Sequence, residues 1–313
     1  MPAPFPAACV YLTGPTASGK TAVGIELARR LNAEIVAMDS MTVYRGLEIG
    51  TAKPTAEERA AAPHHLLDVV DPSTEFSQAE YAAAARTAVD DILARGKLPL
   101  LVGGTPLYLK TLLRGMYDGP PPDWNFRRRM ETEADDAGPT YLQDRLAQVD
   151  PPAAAKLHAN DRRRLIRALE VFELTGRPLS EQQREFEHPR RQAMGRVFLL
   201  DWPRAELFAR IESRVDAMLA AGLVDETRQA LAQPGGLGRT ARQGLGYREV
   251  LDMLEGRLAP EDLADAIKTH TRQFAKRQGT WFRSLEECRR IEMHAPADAA
   301  ATAQQIAANL APA

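Results

Sequence analysis

Residues Gly14-Pro-Thr-Ala-Ser-Gly-Lys-Thr21 fit the spacing G-x-x-x-x-G-K-[ST], and no other segment constrains the fold so tightly. An apolar run, Ala8-Cys-Val-Tyr-Leu-Thr13, leads into them. A helical pattern with Val23, Leu27 and Leu31 on one face leads out, from Thr21 to Leu31. A strand, a glycine-bounded loop and a helix in that order form an anion nest. Backbone N–H groups around Ala17 to Lys20 point inwards at a helix N-terminus. Lys20 adds a mobile positive charge and Thr21 a hydroxyl suited to Mg²⁺. Phosphate or diphosphate binding follows, while the molecule that carries the phosphate stays open.

The pattern continues around that loop. Ala33–Ala37 reads as a second strand and Leu66–Val70 as a third. Ser77-Gln-Ala-Glu80 has capping-box spacing and opens a helix that runs to Arg95 and stops at Gly96. Leu98–Val102 is the next strand, closed by Gly103-Gly104. Strands alternating with helices predict an α/β protein: a P-loop NTPase-like core with a mostly parallel sheet.

Near Met116 the pattern breaks at Asp118-Gly-Pro-Pro-Pro-Asp123. Only helical segments follow, at Trp124–Asp136, Thr140–Val149, Asp161–Thr175 and Ser180–Glu187, until the strand-like Val197-Phe-Leu-Leu-Asp201. Residues 117–195 therefore read as an all-helical insertion into a core of 1–116 and 196–313. Helices are expected at Pro203–Ala221, Leu223–Ala232, Tyr247–Glu255 and Pro260–Leu285, with a last strand at Arg290–Met293. The Ala-rich tail after Ala295 has weak helical character.

Composition excludes several classes. Two cysteines, Cys9 and Cys288, cannot build a disulfide framework or a thiolate metal site. The start, Met1-Pro-Ala-Pro-Phe-Pro6, lacks a signal peptide's basic and apolar regions, and no apolar run reaches bilayer length. A cytoplasmic protein away from the membrane is expected.

The net charge of −2 is deceptive. Residues 162–191 carry net +3 and residues 268–290 net +5, which leaves −10 for the remainder. On the helix from Pro260, Leu263, Ile267, Phe274, Trp281 and Leu285 form an apolar stripe opposite Lys268, Arg272, Lys276 and Arg283. One such cluster alone reads as a solvated face. Two arginine-rich clusters beside a phosphate loop point to a polyanionic partner such as RNA.

Other chemistry-bearing residues keep alternatives. Asp39 ends a strand, where ligands of open α/β sheets gather; it suits a general base, a water-mediated Mg²⁺ contact or a turn cap. Gly103-Gly-Thr105 borders the same edge, serves as a helix cap before Pro106, or does both. His64-His65 has no ligand spacing and reads as structural rather than metal-binding.

Taken together, the residues resemble the tRNA dimethylallyltransferase (tRNA isopentenyltransferase) family. The phosphate loop, Asp39-Ser-Met-Thr-Val-Tyr44, Gly50-Thr-Ala-Lys-Pro54, His64-His-Leu-Leu-Asp68 and Leu101-Val-Gly-Gly-Thr105 occur in the family's order. So do Asn160-Asp161, Arg167-Ala-Leu-Glu-Val171, Gly246-Tyr-Arg248 and Lys276-Arg-Gln-Gly-Thr-Trp-Phe-Arg283. The likeness runs from Val10 to Arg283.

The resemblance implies transfer of a dimethylallyl group from dimethylallyl diphosphate to N6 of the tRNA adenosine 3′ of the anticodon, releasing pyrophosphate. Gly14, Pro15, Thr16, Ala17, Ser18, Gly19, Lys20 and Thr21 would hold the diphosphate, with Mg²⁺ on Thr21. Asp39 would be the base, Thr105 would orient groups around N6, and Arg127 would serve the leaving group. Arg214 is a further phosphate contact or an ordinary surface arginine. The tRNA would be held by Asp39, Ser40, Met41 and Thr42, and by Arg163, Arg164, Leu165, Ile166 and Arg167. Gln243, Gly244, Leu245, Gly246, Tyr247 and Arg248, with Lys276, Arg277, Gln278, Gly279, Thr280, Trp281, Phe282 and Arg283, would complete the grip. Arg163 stands where many relatives carry Gln, so a phosphate contact would replace an amide contact. The helical insertion would hold the anticodon stem-loop. tRNA contacts on two domains leave limited free surface, which points to a monomer.

Two rival enzymes share the phosphate loop. A small-molecule or nucleotide kinase leaves the C-terminal basic cluster unexplained, and an adenylate isopentenyltransferase acting on AMP leaves both clusters without a ligand. A non-catalytic nucleotide switch or RNA-binding protein is the third class, and the N-K-x-D guanine motif of such switches is absent.

Overall fold

The structure is a computed structural model that describes residues 5, 7–186, 188–189 and 191–310. The sequence readings of the opening residues, of a helix end at Glu187 and of the charge on Arg190 fall wholly or partly outside those residues. The described chain forms two compact units. One holds Phe5–Leu113 with the chain from Pro189 onwards, and the other holds Arg114–His188, against an expected insertion of 117–195.

In the larger unit the chain runs β1 (Val10–Thr13), α1 (Lys20–Leu31), β2 (Ala33–Ala37), α2 (Ala56–Ala61), β3 (His64–His65), α3 (Gln78–Ala94), β4 (Leu98–Gly103) and α4 (Pro106–Arg114). The smaller unit carries α5 (Trp124–Ala137), α6 (Tyr141–Val149), α7 (Pro151–Lys156), α8 (Arg162–Thr175) and α9 (Leu179–Gln183). The chain then returns with β5 (Val197–Asp201), α10 (Arg204–Ala220), α11 (Leu223–Ala232), α12 (Tyr247–Leu254), α13 (Leu263–Arg283), β6 (Cys288–Glu292) and α14 (Ala299–Ala308).

The strands form one parallel sheet in the order β3-β2-β4-β1-β5-β6. β1 and β2 are buried at every position, as their apolar runs require of strands covered on both faces. The expected capping box is present: Ser77 Oγ accepts from Glu80 N and the Glu80 carboxylate accepts from Ser77 N. In the smaller unit, Phe126, Met130, Leu142, Leu146, Leu165 and Leu169 pack one core. Asp123, Asp150 and Asp161 cap the N-termini of α5, α7 and α8.

Three local expectations change. Leu66–Val70 is not a strand: Leu66 and Asp68 have φ of 63° and 57°, which breaks the extended path, and only His64–His65 pairs with β2. Asp68 turns to meet Lys53 and Arg59 at 2.5 and 2.7 Å. The Ala-rich tail forms α14, which packs against α1 and buries Ala303 and Ile306 completely. On α13 the inward stripe passes through Phe282, fully buried, while Trp281 is 41% exposed. Among the described residues no helix is long and apolar enough to cross a membrane.

Candidate active site

The ends of β1, β2 and β4 open onto one cavity of about 420 Å³ at the C-terminal edge of the sheet. Thr16, Lys20 and Thr21 reach it from the first loop, Asp39 from the second and Thr105 from the third. α10 contributes Arg214, and α13 contributes Phe274 and Gln278.

The phosphate loop is held from outside. Trp202 Nε1 donates to Ser18 O at 2.9 Å and Arg210 Nε donates to Ala17 O at 2.8 Å. The Arg210 guanidinium also lies 4.4 Å from the centre of the Trp202 ring. In a trans peptide the N–H opposes the C=O, so tying down Ser18 O turns Gly19 N–H away from Trp202. Gly19 itself sits at φ 89°, a conformation that favours glycine. A side chain at Gly14 would stand 2.7 Å from Ser18 Oγ, so that glycine is required by space.

Lys20 Nζ donates to Pro15 O at 2.8 Å. Burial lowers its pKa to about 7; the charge of Arg214 pushes the same way and Asp39 partly opposes. Arg214 is itself lowered, first by burial and then by Arg210. Clustered cations that have lost hydration and lower one another's ionisation make a site that an anion would relieve.

Asp39 Oδ1 accepts from Met41 N at 2.8 Å, which folds the segment after β2 into a tight turn. Thr105 Oγ1 accepts from Ser40 N at 3.1 Å. Its hydroxyl thus links the ends of β4 and β2, while its carbonyl accepts from Leu109 N at 3.1 Å where α4 begins. Thr105 and Asp39 are therefore held side by side, within the same cavity as Lys20. Gln278 closes the arrangement: its Oε1 accepts from Thr16 N at 2.9 Å and its Nε2 donates to Gly104 O at 2.5 Å.

Among the described residues no group of three or more His, Cys, Asp or Glu could cage a metal. Thr21 and Asp39 nevertheless line the cavity together. One or two protein oxygens completed by substrate phosphates are the usual donor set for Mg²⁺, so these residues fit that ion.

The expected tRNA contacts divide by burial. Ser40, Met41, Thr42 and Gln243–Arg248 line the cavity, but Thr42, Gly244, Gly246 and Tyr247 are buried. Arg248 is exposed, its guanidinium held by the buried Glu249 at 2.6 Å. Lys276, Thr280, Trp281 and Arg283 are exposed, Arg277 is exposed and lines the cavity, and Gln278, Gly279 and Phe282 are buried. Lys268 and Arg272, part of the expected basic face, pair instead with Asp216 and Glu212 of α10.

In the helical unit Arg163 and Arg164 are exposed, but Leu165 and Ile166 are core residues at 0% and 3% exposure. They build the helix and offer no side chain to a ligand. Glu170, fully buried, takes Arg127 through two contacts of 2.8 Å and Arg167 at 2.5 Å.

Sequence reasoning missed Arg210, Trp202, Glu226 and the loop-bridging role of Gln278. Gln278 was legible, because Ile267, Thr271, Ala275, Gln278 and Phe282 recur at helical spacing and all are buried. The others act on backbone atoms far away in sequence and leave no local pattern.

Known proteins resemble this arrangement. A family model described as IPP transferase matches residues 42–285. The tRNA dimethylallyltransferase of Rhodopirellula baltica is 48% identical over 90% of this chain and 86% of its own length. That of Roseiflexus sp. is 46% identical over 95% and 96%. The crystal structure of the full-length tRNA isopentenylpyrophosphate transferase from Bacillus halodurans superimposes with a TM-score of 0.68, at 38% identity and 96% of each chain. A eukaryotic dimethylallyltransferase captured acting on tRNA gives 0.76, at 30% identity over 91% of this chain and 73% of that one. Phosphate loop, strand-end aspartate and family match agree over most of the sequence, and the chain belongs to the IPP transferase family.

Proposed function

We propose that the chain transfers a dimethylallyl group from dimethylallyl diphosphate to N6 of the tRNA adenosine 3′ of the anticodon. One observation carries the reading: a carboxylate, Asp39, shares a single cavity with the desolvated cations Lys20 and Arg214. That pairing suits a reaction in which a nucleophile loses a proton while a diphosphate departs.

The N6 lone pair is delocalised into the adenine ring, so attack needs help at both ends. Asp39 takes the N6 proton as the N6–C1 bond forms and the C1–O bond to the diphosphate breaks. Lys20, Arg214 and the loop N–H groups take up the charge left on the diphosphate. Thr105 keeps the turn at Asp39–Ser40 in register with β4 and orients the groups around N6. Arg127 would serve the leaving group by family likeness alone; in its own unit its guanidinium is paired with Glu170. Thr21 would hold Mg²⁺, which would supply further positive charge to the departing group. Ile211, Val215 and Met218 line the cavity and offer the prenyl chain an apolar wall.

The target base must leave its stack to reach such a cavity, which favours a single-stranded loop. Exposed Arg163, Arg164, Lys276, Arg277 and Arg283 would meet the tRNA phosphates, with the helical unit on the anticodon stem-loop. We propose that the enzyme works on tRNA in the cytoplasm, as a monomer.

The test is coupled product formation. Protein, Mg²⁺, dimethylallyl diphosphate and unmodified tRNA should yield one pyrophosphate per prenylated adenosine. Pyrophosphate release that does not require tRNA would refute the acceptor.

A further inference from the structure

Two motifs, Gly50-Thr-Ala-Lys-Pro54 and Gly246-Tyr-Arg248, have no chemical task in the reaction, yet both line the cavity. What joins them is a residue outside every motif. Glu226, on α11, accepts hydrogen bonds from three consecutive backbone amides: Glu48 and Ile49 at 2.8 Å to one oxygen, and Gly50 at 3.1 Å to the other. That second oxygen also accepts from Tyr247 Oη at 2.6 Å. Successive N–H groups turned to one point make an anion nest, and here the anion is the protein's own carboxylate.

The contact beneath this clamp is very close. A Cβ on Gly50 would stand 2.5 Å from Tyr247 Cζ, so the tyrosine ring occupies the space of a missing side chain. Tyr247 is fully buried and cannot give way. The loop is fixed from its other side by Lys53, whose Nζ donates to Tyr44 O at 2.6 Å and pairs with Glu48 and Asp68. Glu226 is absent from the cavity lining, so whatever it does there it does through the residues it holds.

We propose that Glu226 is a positioning residue for the acceptor side of the cavity. By gripping amides 48–50 and the Tyr247 hydroxyl together, it sets the separation between Gly50–Ala52 and Gln243–Arg248. The inference rests on the reading of 243–248 as a tRNA contact. Without the carboxylate, three amides and a hydroxyl lose a charged acceptor, the two walls part, and the nucleotide is no longer gripped. The phosphate loop is held separately by Trp202, Arg210 and Gln278, so donor binding is untouched.

The test compares wild type with Glu226→Ala and the milder Tyr247→Phe. Glu226→Ala should raise KM for tRNA by about ten- to hundredfold, as expected for lost charge-assisted bonds, with KM for dimethylallyl diphosphate unchanged. Tyr247→Phe should shift it the same way by less. Sodium formate, a carboxylate small enough for the emptied nest, should lower the tRNA KM of Glu226→Ala relative to sodium chloride at equal ionic strength. Hydrogen exchange at amides 48–50 should speed up in Glu226→Ala and slow again with formate. Equal changes in both KM values, no change in either, or unaltered exchange would overturn the proposal. If the wild type prenylates no tRNA, the functional reading fails by itself, and the amide exchange alone then decides whether the clamp exists.

Discussion

Lys20 and Arg214 face one cavity from opposite elements, the phosphate loop and α10, and the arginine's charge helps to hold the lysine pKa near 7. Burial is the larger cause. A diphosphate between them would restore the proton that burial removes.

Donor binding should therefore depend on pH in a particular direction. Above pH 7 the empty site holds Lys20 increasingly neutral, so binding a diphosphate must take up a proton. The Kd for inorganic pyrophosphate should rise by up to about tenfold per pH unit between 7.5 and 9. Calorimetry in buffers of different ionisation enthalpy measures the uptake. Lys20→Ala should weaken binding and flatten the profile, and a flat profile in the wild type would remove the argument.

Asp39→Asn keeps an oxygen to accept from Met41 N but cannot take a proton. Turnover should fall by about 10²- to 10⁴-fold, the usual worth of a positioned base, while tRNA affinity changes little. Equal losses in turnover and affinity would make Asp39 a binding residue.

Gln278 joins the donor loop to the end of β4, so its loss should disturb both substrates. Gln278→Leu leaves Thr16 N and Gly104 O without that partner, at a cost of about 1–3 kcal/mol where they stay buried. Thermal unfolding should report the loss, and KM should rise for donor and tRNA together. A change confined to tRNA would restore Gln278 to the surface role expected from sequence.

Arg163 and Lys276 are exposed, whereas Lys268 and Arg272 are tied to α10. Arg163→Ala and Lys276→Ala should each lower the slope of log affinity for tRNA against log salt by about one. Lys268→Ala should leave that slope in place. The reverse pattern would relocate the RNA-binding face.

Much of this was legible wherever the signal was local. The phosphate loop and the Ser77 capping box each act within a few residues, and spacing finds them, whereas the short helix α7 opened by Asp150 was not expected. Leu66–Val70 misleads because its apolar composition suits a strand, while Asp68 is recruited by Lys53 fifteen residues earlier. The tail becomes α14 because α1 offers it an apolar face, which composition alone does not reveal. Glu226 meets its amides from 176 to 178 positions away, a distance no motif encodes. Leu165 and Ile166 show the opposite failing, since family likeness offered them to the tRNA while the helix buries both in its core.

The proposed reaction stands on two points: the acceptor is tRNA, and the group transferred is prenyl. Labelled dimethylallyl diphosphate should be offered with Mg²⁺ to purified protein and unmodified tRNA, to free AMP, and, in parallel, ATP with candidate kinase substrates. Label should enter tRNA only, on N6 of the adenosine next to the anticodon. Label in AMP, or phosphate transfer from ATP without prenylation, would contradict it.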